Sequence, residues 1–251
     1  MSAVSRACLR LAATAALRDV TIAGGNVFDS RIEAVNLSDE QPTAGAIAVY
    51  TEQDEGEALS KQNGGPPFVS MVDLILEITM QSIGPVKPDG TYAVITPVTD
   101  DELEMTLDVI ETQAEDALFR SYAVNSVLFR LVAKRGDKKL SLRFTDPKEG
   151  QKLAVRYVTY TIEVDDREVP VLDGTRTGFD MLPYPFSEIA PQWPAGPEQE
   201  KATLAAALLA GTTPPAFRGV IATVTPPAST QSDIQPEPSR VERWDIPTNE
   251  P

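Results

Sequence analysis

Carboxylates are the one chemical resource this chain holds in quantity. Its 37 Asp and Glu stand against 22 Lys and Arg, with no histidine and a single cysteine, Cys8. Without histidine there is no Ser/His/Asp or Cys/His relay and no imidazole acid or base. No serine is followed three residues on by lysine, so that alternative nucleophile signature is missing too. The same counts exclude an intramolecular disulfide and any Cys/His zinc site. Paired carboxylates can hydrolyse glycosidic bonds when held at a fixed separation, but no spacing here selects a pair. Asp54, Glu55 and Glu57 lack the regular oxygen-ligand spacing of a calcium loop, so a solvated acidic segment is the better reading. Gly24-Gly25-Asn26 reads as a turn, and no Gly-rich phosphate loop with its lysine occurs. The expectation is a protein that is not an enzyme and holds no cofactor or metal.

Charge placement says more than charge chemistry. The formal net charge is -15, which opposes the phosphate backbone of nucleic acids and adsorption to anionic membranes. Every charged residue from Asp100 to Asp116 is acidic, and Glu104, Asp108, Glu111 and Glu115 recur at helical spacing. The bland reading is a solvated face. The sharper one is a surface that must stay negative or that meets a basic partner. Arg130, Lys134, Arg135, Lys138, Lys139 and Arg143 cluster around one acid, Asp137. Separated acidic and basic patches can join head to tail, and such contacts close into rings.

The elements that position these residues follow from periodicity. Val4, Cys8, Leu11 and Ala15 predict an amphipathic first helix ending near Asp19, with Cys8 as a core thiol. Arg6 and Arg10 ahead of Leu11 to Leu17 resemble a poor signal peptide, but that stretch is short and contains Thr14. No apolar run approaches the roughly 20 residues that span a bilayer. Val27 to Ile32 reads as extended or as loop, Ala46 to Tyr50 as strand, and Thr51 to Pro67 as a long, mobile hairpin loop. Phe68 to Met80 alternates cleanly: Phe68, Val72, Leu74, Leu76, Ile78 and Met80 on one face, Asp73, Glu77 and Thr79 on the other. Tyr92 to Ile95 is a further short extended piece.

Thr99-Asp100-Asp101-Glu102 fits a capping box opening a second helix whose stripe is Leu103, Leu107, Ile110, Ala114 and Leu118. Tyr122 to Ala133 reads as helix, although its Val127-Leu128-Phe129 core suits a strand equally. Lys134 to Lys139 reads as a charged turn around Gly136, and Leu153 to Val164 as the last strand. The order predicts an α+β fold, helices packed on a mostly antiparallel sheet. Composition changes after Val171, so residues 1–168 are expected to form the α/β domain and 169–251 a Pro-rich extension. The extension holds one short helix between Pro197 and Gly211, a strand at Gly219 to Val224, and an extended arm carrying Trp244.

One family shares this pattern. An amphipathic helix, then Gly24-Gly25-Asn26-Val27-Phe28-Asp29-Ser30-Arg31-Ile32, then Ala46-Ile47-Ala48-Val49-Tyr50-Thr51, an acidic loop, the long strand from Phe68, an acid-capped helix and a late strand at Leu153 to Val164: this resembles the tail terminator proteins of long-tailed bacteriophages, the lambda-type family with its prophage and gene-transfer-agent relatives. The resemblance covers about residues 1–168 and lies in element order and short segments; the Pro-rich extension departs from it.

The resemblance implies a structural virion protein, made in the host bacterial cytoplasm, whose hexameric ring caps the tail tube at the head–tail junction. Its implied partners are copies of itself, the tail tube protein, the head-completion or stopper protein, and DNA that passes without specific binding; no membrane is involved. Charge placement then nominates Glu52, Asp54, Glu55, Glu57, Lys61 and Asn63, with Arg130, Lys134, Arg135, Lys138 and Lys139, for subunit contact. It nominates Glu104, Asp108, Glu111 and Glu115 for a DNA-facing acidic surface. Other readings are another neck or minor tail component, a non-viral acidic binding module with a Pro-rich recruiting tail, and a hydrolase with paired carboxylates.

Overall fold

The computed structural model describes residues 3–30, 43–58, 60, 62, 68–86, 92–94, 100–146, 153–164 and 176–211. The predicted strand at Gly219 to Val224, the arm with Trp244, and the cap residue Thr99 lie outside the described residues.

The long alternating strand organises the rest. β3 (Phe68–Val86) buries Val72, Leu74, Leu76 and Ile78 completely, as its period-two pattern demands. It pairs antiparallel with β2 (Thr43–Ala58) on one side and β6 (Leu153–Val164) on the other. β5 (Ala133–Asp146) adds antiparallel to the far side of β6, and β1 (Val27–Asp29) adds parallel to β2 through Val27↔Ile47 to Asp29↔Val49. The order is β1-β2-β3-β6-β5, with β4 (Tyr92–Val94) pairing the distal end of β3. The fold is α+β, with helices packed against a mostly antiparallel open sheet.

Helix α1 (Ala3–Leu17) is the central helix of the core, and it is more enclosed than an amphipathic pattern requires. Cys8, Leu9, Leu11, Ala12, Ala13, Ala16 and Leu17 are all buried. Its alanines let neighbours close in on several sides: the sheet on one, and α3 (Val124–Val132) and α5 (Pro197–Leu209) on others. Asn125 ties α3 to it by donating from Nδ2 to the Ala15 carbonyl, 3.1 Å. Burial alone pushes the Cys8 thiol well up, as for an inert core cysteine. α2 (Asp100–Glu115) buries Leu107, Ile110 and Ala114, its predicted stripe, and runs into a π-turn (Asp116–Arg120) that buries Leu118. α2 lies so close to β2 at Gly45 that a Cβ there would sit 3.0 Å from Ile110 Cδ1 and 3.2 Å from Met80 Sδ. A larger residue there would require the Ile110 and Met80 side chains to shift by a few tenths of an ångström.

Three expectations change. The strand begun at Ala46 does not stop at Tyr50 but runs to Ala58, so Glu52 to Glu57 stand on β2 and not in a loop. Thr51 to Ala58 carries no apolar signal of its own; pairing with β3, Asp54↔Val72 through Ala58↔Phe68, holds it extended. Second, Lys134 to Lys139 is strand, not turn. Gly136 sits in a stretch of β5 where register against β6 shifts between Ala133 and Arg135 and again between Gly136 and Lys138, the mark of an irregular strand.

Third, the core does not end near residue 168. Met181, Leu182, Phe186, Ile189, Ala190, Trp193, Ala202 and Ala206 belong to the same buried cluster as α1 and the sheet, and residues Met1–Pro214 form one compact unit. Phe186 and Trp193 meet edge to face at 6.0 Å. The predicted helix is present as α5, its end marked by Gly211 at φ +70. Among the described residues, no helix is long and apolar enough to cross a membrane.

Candidate functional site

The nominated residues fall into places of different character. The acids of α2 face the sheet's β6–β5 side and are met there by cations of the same chain. Arg156 on β6 is the hub. Its Nη2 lies 2.7 Å from Glu104 and its Nη1 3.3 Å from Glu111, and it also pairs with Asp108. Lys139 on β5 pairs with Glu111 at 2.9 Å and Glu115 at 2.5 Å, and Arg143 with Glu104 at 2.6 Å. Arg120 closes the end, 2.7 Å from Glu115 and from Asp116. The Ser141 hydroxyl donates to Glu111 at 2.9 Å.

Burial alone would push the Glu111 carboxyl up, yet hydrogen bonds from Lys139, Ser141 and Arg156, with the Lys139 charge, hold it below its ordinary value. Lys139 and Arg156 shift the other way: desolvation opposes their charge, and the carboxylates they touch raise them above it. Beneath this layer, burial pushes Tyr160 up to about 12. Phe119 lies 5.1 Å from its ring and 5.7 Å from Phe129.

The cations nominated for subunit contact divide between two uses. Arg130 on α3 donates to the carbonyls of Ser121 at 2.7 Å and Leu118 at 3.3 Å, so it holds the exit of the π-turn. Lys139 belongs to the α2 layer. Lys134, Arg135 and Lys138 are exposed on β5, with Arg135 3.3 Å from Asp137. The acids nominated with them, Glu52, Asp54, Glu55 and Glu57, stand on β2 at the other side of the sheet. Asp54 meets Arg6 of α1 at 3.6 Å. Lys61 and Asn63 lie outside the described residues.

Sequence reasoning missed Arg156, the hub, because nothing in Val155-Arg156-Tyr157 marks it apart from its strand. It also missed the clamp on α1. Arg10 pairs with Asp29 of β1 and donates to Thr51 at 3.3 Å, Lys201 of α5 pairs with the same Asp29, and Arg18 meets Glu198 at 2.7 Å. Burial opposes the Asp29 charge, but Lys201 and Arg10 together hold its carboxyl below the ordinary value. Elsewhere, a cavity of about 490 Å3 opens between Arg176–Phe179 and the α5 face carrying Thr203, Ala206 and Ala207. Among the described residues its lining carries the cation Arg176 with Thr177, Thr203 and apolar groups. Among the described residues no group of His, Cys, Asp and Glu is arranged to hold a metal ion.

No protein-family model matches the chain, and no curated protein matches it.

Proposed function

We propose that this chain is a non-enzymatic structural protein that assembles with copies of itself into a ring, and that the ring terminates the tail tube of a long-tailed phage at the head–tail junction. The observation that carries the assembly step is the open sheet. Its helices cover one face, and among the described residues no strand pairs the outer side of β5 or the part of β2 beyond β1. Unpaired edges of this length are normally covered, shortened or completed by another chain. The place at the head–tail junction rests on the resemblance in element order over residues 1–168. In the ring, passing DNA is kept from sticking by the net charge of -15. The α2 acids contribute little to that field, because cations of their own chain meet them.

The test is the mass of the full chain in solution by light scattering, across concentration and salt, with electron microscopy of the largest species. A concentration-dependent rise toward about six subunits, closed as rings, is expected from cyclic symmetry and the family pattern. A strict monomer at every concentration would count against the ring and move weight to a binding module acting alone.

A further inference from the structure

The sheet has an acidic end and a basic end. Beyond the three residues that β1 covers, β2 presents Glu52, Asp54, Glu55 and Glu57 with no cation among them. At the opposite edge β5 presents Lys134, Arg135 and Lys138 around Asp137, while Lys139 points to the α2 layer. From this we infer that the joint between copies is edge to edge: the acidic half of β2 in one copy pairs with the basic half of β5 in the next. The inference rests on the self-assembly reading above and names the surface that would carry it.

Topology sets the polarity of that joint. β2 runs opposite to β3, β3 opposite to β6, and β6 opposite to β5. β5 and β2 therefore run in opposite directions within one sheet. When the next copy follows in the same orientation, as rotation about a ring axis requires, its β2 lies antiparallel to β5. The joint then repeats the pairing that already builds most of the sheet.

Irregularities in both strands bring the charges to one face. Arg135 pairs across with Glu163 and Lys138 with Thr161, two positions of β6 that share the face away from the helices. Strict alternation would have put Arg135 and Lys138 on opposite faces; the register shift between Gly136 and Lys138 puts them together. On β2 the shift between Thr51 and Asp54 leaves Glu55 and Glu57 opposite Met71 and Val69, on that same face. The charge of Glu52 reaches Tyr157 there. In a continued sheet these acids and bases become cross-strand neighbours, the arrangement in which opposite charges help and like charges hurt.

Charged, irregular edges also guard against aggregation, and that explanation must be weighed. A guard repels every approaching edge. Here like charges oppose β2 against β2 and β5 against β5, which are the two-fold pairings, while β2 against β5 is attractive. Repulsion of the wrong pair and attraction of the right one select head-to-tail association.

The experiment uses the full chain and two charge-reversed variants. One carries Glu52→Lys, Glu55→Lys and Glu57→Lys; the other carries Arg135→Glu and Lys138→Glu. All five positions are exposed, so circular dichroism and the urea midpoint should match the wild type and show that both fold. Self-association, read by light scattering, should weaken about tenfold or more in each variant alone. An equimolar mixture should recover assembly, because each reversed edge then meets an edge of opposite sign. Recovery in the mixture after loss in both variants supports the joint. Wild-type-like assembly of either variant, or loss in both without recovery on mixing, overturns it while leaving the ring standing. A wild type that stays monomeric overturns the self-assembly reading and the joint with it.

Discussion

The acids of α2 and the acids of β2 look alike as sequence and differ as structure. Both stretches are short and free of Lys and Arg. On α2 the carboxylates are met by Arg156, Lys139, Arg143 and Arg120, which come from other elements of the same chain. On β2 Asp54 meets Arg6 at 3.6 Å, and Glu52, Glu55 and Glu57 are exposed. The first set holds a helix to a sheet; the second stands at a boundary of the fold. The difference lies in what β5 and β6 bring opposite each acid, which no local charge count contains.

If that contrast is right, the largest effect comes from removing the α2 hub. Arg156 is 12% exposed while facing Glu104, Asp108 and Glu111. Arg156→Met roughly keeps the length of the side chain, takes the cation away from Asp108, and leaves Glu104 with Arg143 and Glu111 with Lys139 and Ser141. Because Asp108 is 59% exposed, solvent screens part of the cost. The loss expected is about 2 kcal/mol, below that of breaking a fully buried pair. It should appear as a lower urea midpoint at unchanged slope. A midpoint within error of wild type would mean that the α2 acids are as solvated as those of β2.

Lowering pH probes the same layer without mutation. The folded-state carboxyl of Glu111 lies below its ordinary value of 4.5, and that of Asp29 below 3.8. Depressed carboxyl values contribute stability that is present above the ordinary value and lost as pH falls through the folded one. Stability should therefore fall from about pH 4.5 downward, first through Glu111 and then Asp29. Compared with the wild type, Glu111→Gln should flatten the upper part of that fall. Thermal midpoints across pH 2.5 to 7, about the carboxylate range, measure both.

The sheet and the main helices were legible in the sequence because their signals are local. Period two in β3, the apolar stripe of α2 and the spacing of α1 each report one buried face, and each element lies where its pattern placed it. What was not legible depended on a partner. Thr51 to Ala58 is a strand because β3 continues beside it, and Lys134 to Lys139 is a strand because β6 does. Composition likewise marked the segment after Val171 as an extension, yet Phe186 and Trp193 are buried in the common core. Proline density reports how a chain is connected, not whether its aromatic residues find a core. At the charged surfaces, residue types were visible but pairing was not: Glu104 to Glu115 were recognised as a stripe without their partners.

A smaller effect separates the two roles within β5. Lys139 touches Glu111 and Glu115 and lies over the Tyr160 ring, 5.9 Å from its centre, whereas Lys138 is exposed beside it. Lys139→Met should cost about 1 kcal/mol, the upper range for a pair half open to solvent with a cation–π contact behind it. Lys138→Met should cost less than about 0.5 kcal/mol. Equal losses at the two positions would erase the distinction between a lysine that binds the helix layer and one that marks the edge.

The smallest expected effect on folding is at β2 itself. Replacing Glu52 and Glu55 together with glutamine removes two like charges from an exposed strand edge without changing side-chain volume or hydrogen-bonding reach. The monomer should stay within about 0.5 kcal/mol of wild type. Neutralising the pair should also flatten the salt dependence of self-association, since exposed charges act through a screening length of about 8 Å at physiological salt. A substantial loss of monomer stability would instead show that these acids, like those of α2, are held by the fold they belong to, and would collapse the contrast between the two acidic stretches.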